Sequence, residues 1–244
     1  LRSKEWKTAS NNREFVSINH TRIDANLIEV VVNFSLNNID SSNKLTYLIN
    51  SKGVLKVKNE FTYSGSLKDA QMPRFGMNFT MPKNYKNIVW YGRGPHENYI
   101  DRKSSAFVGL YENLVEDLDF EYSRPQENGY RTDVRWFRAL NENNIGFEIK
   151  GEPLISFSAH YNTIEDFDDG LRPNNPGEKV GTRKRIIKKQ RKPIDVPKRD
   201  FISLNIDLKQ MGVGGDNSWG ARTLPKYTIN PGNYSYSFTI SPVN

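Results

Sequence analysis

The sequence contains no cysteine. That excludes disulfides, a thiolate nucleophile and a Cys-ligated metal, and it suits a cytoplasmic and a periplasmic protein equally well. No stretch approaches the run of about 18 apolar residues that a membrane-spanning helix needs, so no membrane partner is expected. Leu1 opens directly into "RSKEWK" without an apolar signal region, so any export signal is expected to lie outside this chain. Histidine is scarce as well. His20, His96 and His160 are the only three, and they do not fall at metal-ligand spacing. No metal site and no cofactor encoded by this chain is therefore expected. Nothing resembles a G-x-S-x-G nucleophile elbow.

Apolar residues make up only 36% of the 244, but aromatics reach 12%. Aromatic and β-branched side chains suit strands. Period-two alternation recurs in "EFVSINHTRI", "LIEVVVNFSL", "KLTYLIN", "VLKVKNEFTYSG", "RFGMNFTM" and "NIVWYGRG". It returns in "YRTDVRWFRAL", "IGFEIKG", "LISFSAHY", "FISLNID", "YTIN" and "YSYSFTISP". Asn, Ser, Asp or Gly bounds these runs, and "INSKGVL" reads as a hairpin turn. So many short strands predict an all-β, antiparallel sandwich. Helix is expected only as one or two short pieces, at "SKEWKTASNN" and around "TIEDFDDGL", where Thr163 suits a cap. No composition shift marks a second domain, so residues 1–244 are read as one.

The net charge of +7 is local. Residues 179–199 hold ten of the 35 basic residues and one acid, which leaves 25 basic against 27 acidic residues elsewhere. That run carries no aromatic side chain, whereas single-stranded nucleic acid is held by basic grooves interleaved with stacking rings. Residues 172–198 are expected to form a solvated basic loop within the domain, with no nucleic-acid partner.

Three segments are too unusual for plain turns: "WYGRGPHENYIDR" (residues 90–102), "YSRPQENGYRTDVRW" (122–136) and "GVGGDNSWG" (212–220). Each mixes Gly or Pro with Asn, acids, Arg and aromatics, the composition of loops that present side chains from a rigid scaffold. Glycoside hydrolysis needs two carboxylates about 5–10 Å apart. Glu97, Asp101, Glu127 and Asp216 qualify by type. The favoured reading is that Glu97, Asp101 and Glu127 tie loops together by pairing with nearby Arg93, Arg102, Arg124 and Arg131, and that no catalytic residue is present.

Taken together, "GRGPHENYIDR", "YSRPQENGYRTDVRW" and "MGVGGDNSWG" resemble the C-terminal domain of bacterial β-galactosidases of glycoside hydrolase family two. The resemblance begins at "SKEWKTA" and runs to the end of the chain. It implies a large antiparallel β-supersandwich of the galactose-mutarotase-like type. It also implies that the catalytic glutamates lie in a barrel outside this chain, and that the domain's first strands precede Leu1. Trp219 matches the Trp that forms one wall of the family's sugar pocket, with Asp216 and Asn217 beside it as further substrate-binding loop residues. The implied partners are the rest of the parent glycosidase and a β-galactoside; the parents are often homo-oligomers. A free-standing carbohydrate-binding module is the alternative reading of the same loop.

Overall fold

The computed structural model describes residues 4–65, 71–167, 192–215, 217 and 221–244. A helix of six residues, α1 (Lys4–Ala9), leads into a series of antiparallel strands. The first four are β1 (Glu14–Asp24), β2 (Leu27–Leu36), β3 (Ser41–Asn50) and β4 (Leu55–Tyr63). They form a meander, each paired with the next. The hairpin expected at "INSKGVL" joins β3 to β4. Asn50 closes it: its Oδ1 accepts the amides of Lys52 and Val54 at 2.9 and 3.0 Å. An Asn side chain that binds its own backbone two residues on is the usual chemistry of such a turn.

Next come β5 (Arg74–Pro82), β6 (Asn87–Gly94) and β7 (Phe107–Leu114), then a single helical turn, α2 (Val115–Leu118). The chain finishes with β8 (Arg131–Leu140), β9 (Gly146–His160), β10 (Phe201–Gln210) and β11 (Tyr234–Val243). The ladder runs β1-β2-β3-β4-β11-β9-β8-β6-β7, and β10 joins β5 to β9. The architecture is thus all-β and antiparallel, as the alternation predicted; α1 falls at the expected "SKEWKTASNN", and α2 lies where no helix was expected.

The branch lies on β9. Along one side, residues 146–152 of β9 pair with β11, and residues 156–160 pair with β10. Between them stands Pro153, which has no N–H to offer a ladder. The sequence reading split this region into two strands at that point. The structure keeps one strand of 15 residues, because β8 pairs along its other side from Phe157 to Gly146. From the branch, one layer runs through β11 and β4, the other through β10 and β5. Their side chains meet: Phe75 of β5 packs on Phe61 of β4 at 5.9 Å and on Tyr236 of β11 at 5.6 Å, centroid to centroid. The Tyr236 hydroxyl donates to the Ile206 carbonyl of β10 at 2.7 Å. Trp90, Phe137, Phe157, Ile88 and Ile149 are fully buried around β9. Each such side chain contributes about 1.5–3 kcal/mol through burial.

Three local expectations change. "YTIN" is no strand: residues 225–227 form a 3-10 turn, and the Ile229 carbonyl receives the Met72 amide at 2.9 Å. Of the helix expected around "TIEDFDDGL", Ile164–Phe167 form a 3-10 turn, and residues 168–171 lie outside the described residues. There the Asp166 carboxylate accepts the Thr163 amide at 2.8 Å and pairs with Arg199. Strand β7 carried no clear alternation and was not foreseen. Of the basic loop, residues 172–191 lie outside the described residues.

Candidate functional site

The first unusual segment begins on β6 and leaves it as a loop, the second runs from a loop into β8, and the third follows the end of β10. Trp90 to Gly94 belong to β6, where Ile88, Trp90, Gly92 and Gly94 alternate inward. The Trp90 indole N–H donates to the Arg93 carbonyl at 3.0 Å, which turns the chain out of the strand. Arg93 pairs with Asp133 at 2.5 Å and donates to the carbonyls of Lys103 and Ala106, so it fastens the whole 90–106 loop to β8. Lys103 joins the same carboxylate at 2.8 Å. These two donors hold the Asp133 carboxyl below its ordinary value although burial opposes them.

Asn98 is the joint between the first two segments. Its amide donates to the Tyr130 carbonyl at 2.8 Å, and its Oδ1 accepts both the amide and the hydroxyl of Thr132, at 3.0 and 2.6 Å. Its Nδ2 donates to the His96 carbonyl at 3.1 Å. It is fully buried. Residue type points to its neighbour Glu97 and not to Asn98, whose importance comes from where the fold puts it.

Glu97 has both oxygens engaged. Oε1 receives Arg102 at 2.7 Å and the Tyr122 hydroxyl; Oε2 receives the Gly129 amide at 2.8 Å. Gly129 sits at φ +72°, and a Cβ there would come within 2.6 Å of the His160 ring. Glycine is the residue that meets both demands. His160 bridges Asp119 and the Asn128 carbonyl and so serves the scaffold. His96 lies at the surface beside Ser105, at 3.1 Å.

Asp101 was expected among the Arg pairs. Its carboxylate instead takes two backbone amides of the third segment, Val213 at 3.2 Å and Gly214 at 2.7 Å. Glu127 meets Arg74, a partner not foreseen, at 3.5 Å. Arg131 pairs with none of the expected acids. It is 2% exposed, its guanidinium lies 5.5 Å from the Trp90 ring centroid, and its Nε and Nη1 have no hydrogen-bond partner among the described residues. Burial lowers its pKa to about 10, against the pull of Glu97.

Beneath the segments lies a second charged group. Asp207 of β10 is 1% exposed; it accepts the Tyr130 hydroxyl at 3.0 Å, and Arg74 Nε stands 2.9 Å from the same oxygen. The Arg74 contact is coulombic and not an aligned hydrogen bond, since Nε has no partner by angle. Burial pushes the Asp207 carboxyl up to about 6, with Arg74 opposing. Tyr99 stacks on Tyr130 at 5.5 Å, and the Arg102 guanidinium lies 4.7 Å from the Tyr99 ring centroid. A cleft of about 550 Å³ opens beside them, lined by His96, Glu97, Arg102, Asp119, Phe120 and Arg131.

The structure thus brings all three segments together at one end of the sandwich, through Asn98, Glu97 and Asp101. Glu97 and Asp101, two of the four carboxylates eligible by type, have all their oxygens occupied by donors. Asp216 and Trp219 lie outside the described residues; Asn217 is described and is exposed. Among the described residues no three His, Asp or Glu gather as a metal site, and no helix is long and apolar enough to cross a membrane.

Residues 2–240 match the family model described as beta galactosidase small chain. A β-galactosidase of Priestia megaterium is 32% identical over 243 residues, which is 99% of this chain and 21% of that protein. One from Streptococcus thermophilus is 28% identical over 242 residues, 98% of this chain and again 21% of the relative. The chain therefore spans about a fifth of the length of these curated relatives. Among solved structures, a putative aldose 1-epimerase from Escherichia coli K12 aligns over 93% of this chain and 69% of its own at 12% identity, with a TM-score of 0.43, a likeness too slight to carry an argument.

Proposed function

The chain belongs to the β-galactosidase small-chain family, and from that premise we propose that it acts as the non-catalytic C-terminal part of a larger β-galactosidase that hydrolyses terminal β-galactosides. In this reading it supplies one wall of the sugar pocket and contacts to the rest of the parent. The observation that carries the proposal is the joint one at the loop end. The three segments by which the chain resembles the family converge there, and the convergence consumes the carboxylates Glu97 and Asp101 in structural bonds. Every oxygen of the two carboxylates accepts at least one donor from the scaffold, which favours loop ties over the acid–base work that glycoside hydrolysis asks of a carboxylate pair.

Trp219 is the proposed pocket wall, flanked by Asp216 and Asn217. An indole offers a flat apolar face and one N–H donor, which suits the C–H face of a galactose ring. It has no group that acts as acid, base or nucleophile near neutral pH, so its effect is on binding.

Two measurements test this. The purified chain is expected to show no turnover of a chromogenic β-galactoside; turnover that disappears on mutating Glu97 or Glu127 would refute a non-catalytic role. In the full-length enzyme Trp219→Ala is expected to raise KM a few-fold to about tenfold and to change kcat much less, because one aromatic face contributes about 0.5–1.5 kcal/mol to substrate and transition state alike. An unchanged KM removes Trp219 from the pocket. Micromolar galactose binding by the isolated chain would favour a free-standing binding module, since a single wall cannot bury most of a ligand.

A further inference from the structure

Resting on the reading that the glycine-rich loop faces the sugar, we infer that Asp101 is a positioning residue for substrate: it sets where that loop leaves the sandwich. The carboxylate is 112 and 113 residues from the amides it holds, and it gives one oxygen to each, Oδ1 to Val213 and Oδ2 to Gly214. Bonds from backbone N–H to an ionised carboxylate are among the stronger ones. Val213 and Gly214 are themselves exposed, so burial does little to hold them.

The geometry around the clamp admits little slack. Gly212 is buried against Asp101: a Cβ there would stand 2.6 Å from Asp101 Cγ and 2.5 Å from Thr223 Oγ1. Its amide donates to the Tyr227 carbonyl at 2.8 Å. Two residues on, a Cβ on Gly215 would lie 2.3 Å from the Ala221 carbonyl oxygen. The outgoing and returning stems therefore touch at Gly215 and Ala221, which form a narrow neck. On the other side Asp101 is itself fixed. The Arg102 amide donates to the Tyr99 carbonyl at 2.9 Å, and Tyr99 is wholly buried in its stack with Tyr130. A rigid turn thus carries the carboxylate, and the carboxylate carries one side of the neck.

Without the clamp, the loop must be ordered when substrate arrives, and that entropy is charged to binding. The chemical step, whose groups lie elsewhere, is left almost alone. In the full-length enzyme Asp101→Ala is expected to raise KM for a chromogenic galactoside about three- to tenfold, no more than Trp219→Ala does, with kcat within about twofold. Asp101→Asn keeps the side-chain volume and one acceptor; it should fold even where the alanine variant does not, and its KM should fall between the two. In the double variant, Asp101→Ala should add less than about twofold to the effect of Trp219→Ala, because the side chain it places is gone. Hydrogen exchange at Val213 and Gly214 should be slow in the wild type and fast in both Asp101 variants. A wild-type KM in a stably folded Asp101 variant overturns the proposal, as does full additivity in the double variant. An unchanged KM in Trp219→Ala instead overturns the pocket reading beneath it, and the exchange of the two amides then reports the clamp separately.

Discussion

Glu97→Ala is expected to lower the melting temperature of this chain by roughly 5–15 °C. The carboxylate is only 10% exposed and accepts three donors: Arg102, the Tyr122 hydroxyl and the Gly129 amide. Removing it leaves the Gly129 N–H without its acceptor at a residue that is itself buried. Losing one partner of a buried charged group costs about 3–5 kcal/mol. Arg102 is about half exposed and regains water, which brings the expected loss to about 2–4 kcal/mol. For a chain of this size each kcal/mol is worth about 2–4 °C. Glu97→Gln, which keeps an acceptor for Gly129, should lose less than half as much. Glu127→Ala is the contrast. Its carboxylate is about a third exposed and 3.5 Å from Arg74, so about 1 kcal/mol or less is expected. Calorimetric melts of the three variants decide the matter. A Glu97→Ala midpoint within error of wild type would sink the account of how these loops are joined.

The second large effect is expected at Asp207. Alanine there leaves the Tyr130 hydroxyl and Arg74 without the buried carboxylate both face. The loss should be about 3–5 kcal/mol, the cost of breaking a buried pair from one side. Asp207→Asn retains an acceptor for Tyr130 and should lose less. The sign of the pH dependence follows from the raised carboxyl. Its pKa is about 6 when folded, by burial, against about 3.9 unfolded. The folded state therefore holds this proton more tightly. The stability that results is full below about pH 4 and is lost as pH rises through about 6. A shift of that size corresponds to about 3 kcal/mol. Urea unfolding at pH 4.5 and 7.5 should accordingly show a smaller difference in Asp207→Asn than in the wild type. Equal differences in the two proteins would show that Asp207 is not held protonated by burial.

Local pattern foretold most strands, and long-range contact decided what it missed. The strands β4 and β6 alternate cleanly, and the Asn50 turn is written in four consecutive residues. Strand β7 is an edge strand whose Phe107, Val108 and Leu110 are exposed, so its residues show no inside and outside to read. The unity of β9 depends on β8 running beside it, which no window of sequence around Pro153 displays. The site behaves in the same way. That the three segments matter could be read from their composition, and Glu97 with Arg102, five residues apart, pair as expected. Arg93 with Asp133, Glu127 with Arg74 and Asp101 with Gly214 are 40, 53 and 113 residues apart. Only the fold can nominate them. Asn98 was missed because its value lies in saturating four neighbours at once, a property of a place and not of a residue type.

The position of β11 has a consequence for the order of assembly. It is inserted between β4 and β9, in the middle of the ladder, though it is the last strand along the chain described. Residues 55–61 find their partners at 234–240, so the β1–β4 meander has no hydrogen-bonded neighbour on its inner side until that segment arrives. Contacts of such sequence separation close slowly. During synthesis the inner edge of β4 and the first half of β9 must therefore both wait as open strand edges. An open edge is a template for the wrong partner. A nascent chain of this topology is most exposed to misassembly just before residues 234–240 are made, and deleting residues 234–243 should yield two half-sheets that aggregate, and not a slightly smaller sandwich.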